Sequence, residues 1–247
     1  MIALKKIIFA GITGNTGKEV AKTLSEEYEI VAGVGKHSVG KDIGEILHGV
    51  KNDRFVYADL AEALRDHTAD VYIDFTKADG VVTNLETAIK HGLDVVVGTT
   101  GLQKEYVTEM SALIEDRGQF GMFSSNFAMG VAILEAMGEL MKKFYEKSQL
   151  SISETHHDSK IDRPSGTALY LQNKLGLHEQ PIISRRIPVR TSLHEIVCHT
   201  EAEQLMISYE VTDPRVYGEG VKFVLQHMQG LSGVYHDFYS FMKTTQS

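Results

Sequence analysis

Residues 5–24 read KKIIFAGITGNTGKEVAKTL. The segment KKIIFAGI is an unbroken apolar run, the pattern of a strand buried on both faces of a sheet. Val20, Ala21 and Leu24 then fall on one face of a helix predicted from Asn15 to Glu26. Between strand and helix stands Gly11-Ile12-Thr13-Gly14-Asn15-Thr16-Gly17, with GxxGxxG spacing. A strand that turns sharply into a helix presents free backbone N–H groups and the positive end of the helix dipole. Glycines permit both the turn and the close approach of a pyrophosphate. Such a loop can also serve packing only, but its place directly after a first strand favours a dinucleotide.

The alternation continues outward from that loop. EIVAGV reads as a second strand, VYIDFT as a strand, Asp79 to His91 as a helix, LDVVVG as a strand, Lys104 to Asp116 as a helix and QFGMFSS as a strand. Strands and helices at this spacing predict a parallel, Rossmann-type α/β sheet, with its ligand crevice beyond the strands' carboxyl ends. From Phe127 the rhythm changes to a long helical pattern reaching about Lys147, then the strand QLSISET and a short helix ending at Gly176. LHEIVCH and QLMISYEV follow with period 2, and Val216 to Gln229 is helical again. The expected organisation is a dinucleotide-binding domain, 1–126 with 214–247, and an α+β substrate and oligomerisation domain, 127–213, built on a mixed or antiparallel open sheet.

Three further segments fall at strand ends of the first domain. After EIVAGV the chain runs into Gly35-Lys36-His37-Ser38, where a ribose-binding carboxylate would otherwise stand. Lys36 matches a 2'-phosphate better, which favours NADPH over NADH; a solvated loop lysine is the plainer reading. Gly98-Thr99-Thr100-Gly101 and Ser124-Ser125-Asn126-Phe127 offer small residues, hydroxyls and free backbone groups suited to a nicotinamide carboxamide and ribose.

Composition narrows the function classes. With 247 residues, 43% hydrophobic and 23% charged, the chain reads as an ordinary folded protein of one large or two modest domains. A net charge of -8 with scattered Lys and Arg argues against a nucleic-acid surface. No apolar stretch approaches the roughly 20 residues of a membrane span, and the lone Cys198 has no partner in the chain, so a cytoplasmic setting is expected.

The chemistry concentrates in ISETHHDSKIDRPSGTALYL, residues 152–171. His156 and His157 are candidate proton donors near neutral pH, and Lys160 supplies a proton or a fixed positive charge. Pro164 stops the chain, and Ser165-Gly166-Thr167 begins a helix whose exposed N–H groups can receive a carboxylate. Plain surface polarity is the competing reading. A zinc site from His156, His157 and Asp158 is disfavoured because adjacent ligands do not share a face, so no metal is expected. Ser165 as a nucleophile lacks the strand-turn-helix Gly-x-Ser-x-Gly elbow.

The run Glu154-x-His156-His157-x-x-Lys160-x-Asp162-x-Pro164-Ser165-Gly166-Thr167-Ala168 resembles the signature of the dihydrodipicolinate reductase family of bacterial lysine biosynthesis. The glycine loop, Asp74-Phe75-Thr76, Gly98 to Gly101, Asn126-Phe127 with Gly130 and Val131, and Arg215 with Gly220 follow the family in order. The resemblance implies an NAD(P)H-dependent reduction of 4-hydroxy-tetrahydrodipicolinate in the diaminopimelate route to lysine, by hydride transfer and then protonation of an enamine. It implies His156 and Lys160 as catalytic residues. His157, Gly166 and Thr167 are its substrate contacts, and Ser165 joins them from the helix-start reading above; Arg215, the residue kept where Tyr209 to Arg215 otherwise departs from the family, is assigned to the substrate or to the hinge between the lobes. Gly11, Ile12, Thr13, Gly14, Asn15, Thr16, Gly98, Thr99, Thr100, Ser124, Ser125, Asn126 and Phe127 are its cofactor contacts; Lys36 is added by the charge argument above and stands about where the family has a ribose-binding acid. A small dicarboxylate substrate and a homo-oligomer, a tetramer or a dimer, are implied as partners. The chain departs from the family at Asn15-Thr16, where the family has Arg-Met, and between Ile187 and His194, where a glycine-containing segment is shortened. Competing readings are a related imine or amino-acid dehydrogenase and a cofactor-binding relative without turnover.

Overall fold

A computed structural model of the chain describes residues 5–245. The first four residues, read together with the first strand, and the last two lie outside the described residues. Strand β1 (Lys6–Ala10) is buried after its first residue, and helix α1 (Asn15–Leu24) turns Val20, Ala21 and Leu24 inward. β2 (Glu29–Val34) follows the predicted strand. The segment after it holds three elements the sequence did not announce: α2 (Ile43–His48), β3 (Val56–Tyr57) and α3 (Leu60–Asp66). They are too short to show a period; the two helices are set by caps and β3 by pairing with β2. Asp42 accepts from the Glu45 backbone N–H at 3.0 Å, and Asp59 from that of Glu62 at 2.8 Å.

β4 (Val71–Asp74) stops earlier than VYIDFT suggests, because the Asp74 side chain takes the Thr76 backbone N–H at 2.9 Å and bends the chain. α4 (Ala78–Lys90), β5 (Asp94–Val97), α5 (Lys104–Asp116) and β6 (Phe120–Phe123) continue the alternation.

A second unit, Ala128–Pro214, is compact by itself. It contains α6 (Met129–Phe144), a single 3-10 turn (Lys147–Gln149), β7 (Leu150–His157), α7 (Gly166–Leu175), β8 (Ile182–Ile187), β9 (Ser192–His199) and β10 (Gln204–Glu210). Its four-stranded sheet has the order β10-β9-β7-β8 and is mixed: β7 pairs with β8 in parallel, while β9 is antiparallel to both β7 and β10. β8 carries no clear strand signal in sequence, because Arg185 and Arg186 interrupt its apolar pattern. Residues 188–191, inside the shortened segment, must carry the chain from β8 past the end of β7 to reach β9.

The chain then returns to the first unit through α8 (Arg215–His227), β11 (Gly233–Tyr235) and α9 (Phe238–Thr244), the last two unannounced in sequence. β11 pairs with β6, completing an all-parallel sheet of order β11-β6-β5-β4-β1-β2-β3. Ile8, Tyr72, Val95 and Val97 of this sheet pack with Leu85, Ile89 and Ile114 of the helices into one buried cluster. No helix among the described residues is long and apolar enough to cross a membrane.

Candidate active site

Because its strands are parallel, the first unit gathers the loops after β1, β2, β4, β5 and β6 at one edge. Gly11 has φ +85°, and a Cβ there would lie 2.5 Å from the Phe75 carbonyl oxygen. A Cβ on Gly17 would lie 2.2 Å from the Gly11 oxygen, so helix and strand approach as closely as they do only without side chains at both positions. α1 starts after Gly14, which offers no side-chain cap, and Thr13, Gly14, Asn15 and Thr16 are exposed. That helix end is a ready anion site. Ile12 differs, since its side chain is buried and it presents backbone alone.

Asp74, fully buried, fixes the two central loops. It accepts from the Thr76 hydroxyl at 2.6 Å, the Thr99 hydroxyl at 2.8 Å and the Tyr72 hydroxyl. Thr99 is thereby turned inward, between Gly98 and the exposed Thr100. The Ser124 hydroxyl donates to the Asn126 carbonyl at 2.7 Å and tightens the turn that includes exposed Ser125. Phe127 packs its buried ring against Phe75, with centroids 5.7 Å apart. Lys36 is exposed just past the end of β2.

In the second unit, strand register assembles the chemistry. On β7, Glu154 and His156 share a face, two residues apart. Register sets His194 opposite Glu154 and Ser192 opposite His156 on β9, and Arg186 opposite His156 on β8. The Nδ1 of His156 is bonded to Glu154 Oε2. Arg186 Nη1 reaches both Glu154 oxygens at 3.0 and 2.9 Å. Ser192 Oγ lies 3.0 Å from His156 Nε2. The His156 and His194 rings meet edge to face with centroids 5.1 Å apart. Glu154 is 0%, His194 2% and His156 5% exposed, so these groups act on one another with little water between them.

Arg186 also bonds the carbonyls of Lys160 at 3.3 Å and Asp162 at 2.5 Å, tying the loop after β7 to β8. Lys160 Nζ pairs with Asp162 Oδ1 at 2.8 Å, and that contact holds the Asp162 carboxyl below its ordinary value. α7 opens on Ser165, whose hydroxyl accepts from the Ala168 N–H at 3.2 Å and meets His194 Nε2 at 3.0 Å. His194 Nδ1 is buried without a hydrogen-bond partner.

Electrostatics follow from burial. Burial, aided by neighbouring His156, pushes His194 down to about 4, so it is neutral near pH 7. Burial also lowers His156; Lys160 and Arg186 push the same way, and Glu154 offsets this only in part. Burial alone would raise Glu154, but hydrogen bonds, including those from His156 and Arg186, outweigh it and keep the carboxyl below its ordinary value.

His156, Lys160, Ser165, Gly166 and Thr167 therefore lie in the second unit, while Arg215 opens α8 in the first. Alternation turns His157 to the face opposite His156, where its Nδ1 lies 2.6 Å from Ser159 Oγ. Gly166 is exposed, and a Cβ there would meet nothing within 4 Å. Glu154, Arg186, Ser192, His194 and Asp74 join the sites through the fold and carry no role from residue pattern alone. The one local signal was polar residues at alternate strand positions, Glu154 with His156 and Ser192 with His194.

A family model described as dihydrodipicolinate reductase, N-terminus, matches residues 5–127, and one described as dihydrodipicolinate reductase, C-terminus, matches residues 130–241. The 4-hydroxy-tetrahydrodipicolinate reductase of Moorella thermoacetica is 26% identical, over 95% of this chain and 96% of its own. That of Shouchella clausii is 28% identical, over 93% of this chain and 96% of its own. Among solved structures, the dipicolinate-bound dihydrodipicolinate reductase from Paenisporosarcina sp. TG-14 has the same fold, with a TM-score of 0.82 at 21% identity, covering 96% of this chain and 99% of that one. Matched in both units by the models of one family, the chain belongs to the dihydrodipicolinate reductases.

Proposed function

We propose that this protein reduces 4-hydroxy-tetrahydrodipicolinate to tetrahydrodipicolinate with NAD(P)H, in the diaminopimelate route to lysine. The observation that carries the reading is the buried His156 imidazole beside Glu154 at the end of β7, one loop before Lys160 and the N-terminus of α7. Substrate and product differ by loss of the 4-hydroxyl as water and gain of one hydride and one proton.

The strand-glycine-helix turn fits a dinucleotide, since a Cβ at Gly11 or Gly17 would fill the cradle and no side chain caps α1. Gly11 to Thr16 would hold its pyrophosphate. Gly98 to Thr100 and Ser124 to Phe127 would hold the nicotinamide end, and Lys36 a 2'-phosphate, which favours NADPH. When bound, the nicotinamide supplies a hydride to a conjugated ring carbon of the substrate.

The chain's own task is the proton. His156 delivers it to the carbon next to the one reduced. Lys160 gives up part of its pairing with Asp162 to face a substrate carboxylate. The N–H groups of Gly166 and Thr167 receive the other carboxylate at the α7 terminus, which the Ser165 cap keeps in shape. Arg215 and, once turned away from Ser159, His157 are the remaining substrate contacts proposed. A homotetramer in the cytoplasm is part of the proposal. Exposed Ile183, Leu205 and Met206 on the outer strands of the second sheet support self-association.

Turnover tests the reading. Adding substrate to protein and NADPH should bleach the nicotinamide absorbance, and Lys36→Glu should move the NADPH/NADH ratio of kcat/KM by about tenfold toward NADH. Absence of bleaching with either cofactor overturns the function. An unchanged ratio removes Lys36 from the 2'-position.

A further inference from the structure

A carboxylate accepts hydrogen bonds and cannot donate them. Glu154 is fully buried, is held ionised by its hydrogen bonds, and faces Nδ1 of His156. The imidazole atom it meets must therefore carry the hydrogen. In the neutral ring this leaves Nε2 as the acceptor, and the Ser192 hydroxyl 3.0 Å away donates to it. Strand pairing fixes both contacts. Glu154 is on the same strand face as His156, and Ser192 is its register partner on β9, so neither depends on a loop.

We propose that Glu154 is the positioning residue of this site: it keeps a proton on Nδ1 of His156, so that Nε2 is the nitrogen from which the substrate is protonated. The proposal rests on the reading of His156 given above. In the step, the Nε2–H bond of the imidazolium breaks and its electron pair stays on nitrogen. Hydride addition leaves the enamine as an anion; its π pair forms the new C–H bond, leaving the ring C=N of the product and a neutral His156 with hydrogen on Nδ1. The Ser192 hydroxyl marks the side of the ring from which that proton leaves. Arg186 keeps Glu154 ionised and in place, which secures the tautomer through the cycle.

The groups facing His156 are Glu154 on its own strand, Arg186 on β8, His194 on β9 and Lys160 in the following loop. Glu154 is the anion among them, so its neutralisation has a defined sign: the protonated imidazole loses its stabilising partner. Glu154→Gln should lower kcat by about 100-fold or more, the scale of a general acid's contribution. It should leave substrate KM and cofactor Kd within about threefold. The pH limb of kcat/KM assigned to His156 should move to lower pH, and Glu154→Asp should recover part of the rate.

On the wild-type protein, nitrogen-15 NMR of labelled histidine should find the neutral His156 ring protonated on Nδ1. A ring protonated on Nε2 overturns the proposal, even where the Gln variant does not fold. Wild-type kcat and an unmoved pH limb in Glu154→Gln, with both lost in His156→Gln, would sink the proposal and leave the function standing. Wild-type kcat in His156→Gln itself would remove the reading on which it rests.

Discussion

Replacing His156 with Gln should lower kcat by about 10²–10⁴-fold while leaving cofactor affinity within about twofold. The two halves of that expectation come from different parts of the chain. The imidazole is 5% exposed on a strand of the second unit, whereas the glycine loop and the Asp74-braced loops belong to the first. Loss of cofactor binding in step with kcat would mean that His156 supports the fold rather than the reaction.

The same residue gives a signed pH dependence. Burial, Lys160 and Arg186 hold His156 below an ordinary imidazole despite Glu154, so its charged form in the free enzyme is lost over a pH range below that of an ordinary imidazole. A proton donor must be charged to act. kcat/KM should therefore fall with rising pH across that range, about tenfold per pH unit beyond the midpoint. The limb of kcat should lie at higher pH, because a dianionic substrate beside the ring favours its charged form. Both limbs should vanish in His156→Gln.

The largest stability effect is expected at Arg186. Arg186→Met removes the cation bonded to both oxygens of a carboxylate that is 0% exposed and leaves that charge without its main partner. The cost should be about 3–5 kcal/mol in denaturant unfolding of the purified protein. Arg185→Met is the control one residue away. Its contact with Glu195 is 3.6 Å long and its side chain is 52% exposed, so it should cost about 1 kcal/mol or less. The double variant Glu154→Leu with Arg186→Met should regain part of the loss, since no buried charge then remains. Equal small effects at both arginines would contradict the account of Glu154.

Much of the first unit was legible because its signals are local. β1 is a continuous apolar run, the glycines punctuate it, and α5 carries enough turns for its period to give both ends, Lys104 and Asp116. α2, β3 and α3 were not, because six, two and seven residues show no period, and the helices among them start at the Asp42 and Asp59 caps. β11 and α9 were hidden for the same reason, and β11 has meaning only beside β6. In the site, His156 and Lys160 were readable from residue type. Their surroundings were not, since Arg186, Ser192 and His194 reach His156 through pairing with strands far along the chain. Arg186 even obscured its own strand: a charge at an inward position reads as loop until the buried carboxylate opposite it is known.

In the proposed reaction the chain joins one hydride from the cofactor and one proton from solvent, passed through His156, to two neighbouring carbons of the substrate. Isotope content of the product, read in two parallel incubations, tests it. With NADPH deuterated at the transferable C4 position and water as solvent, the product should carry one deuterium on the reduced carbon. With ordinary NADPH in deuterium oxide, it should carry one on the adjacent carbon. Product free of cofactor-derived deuterium would contradict the account.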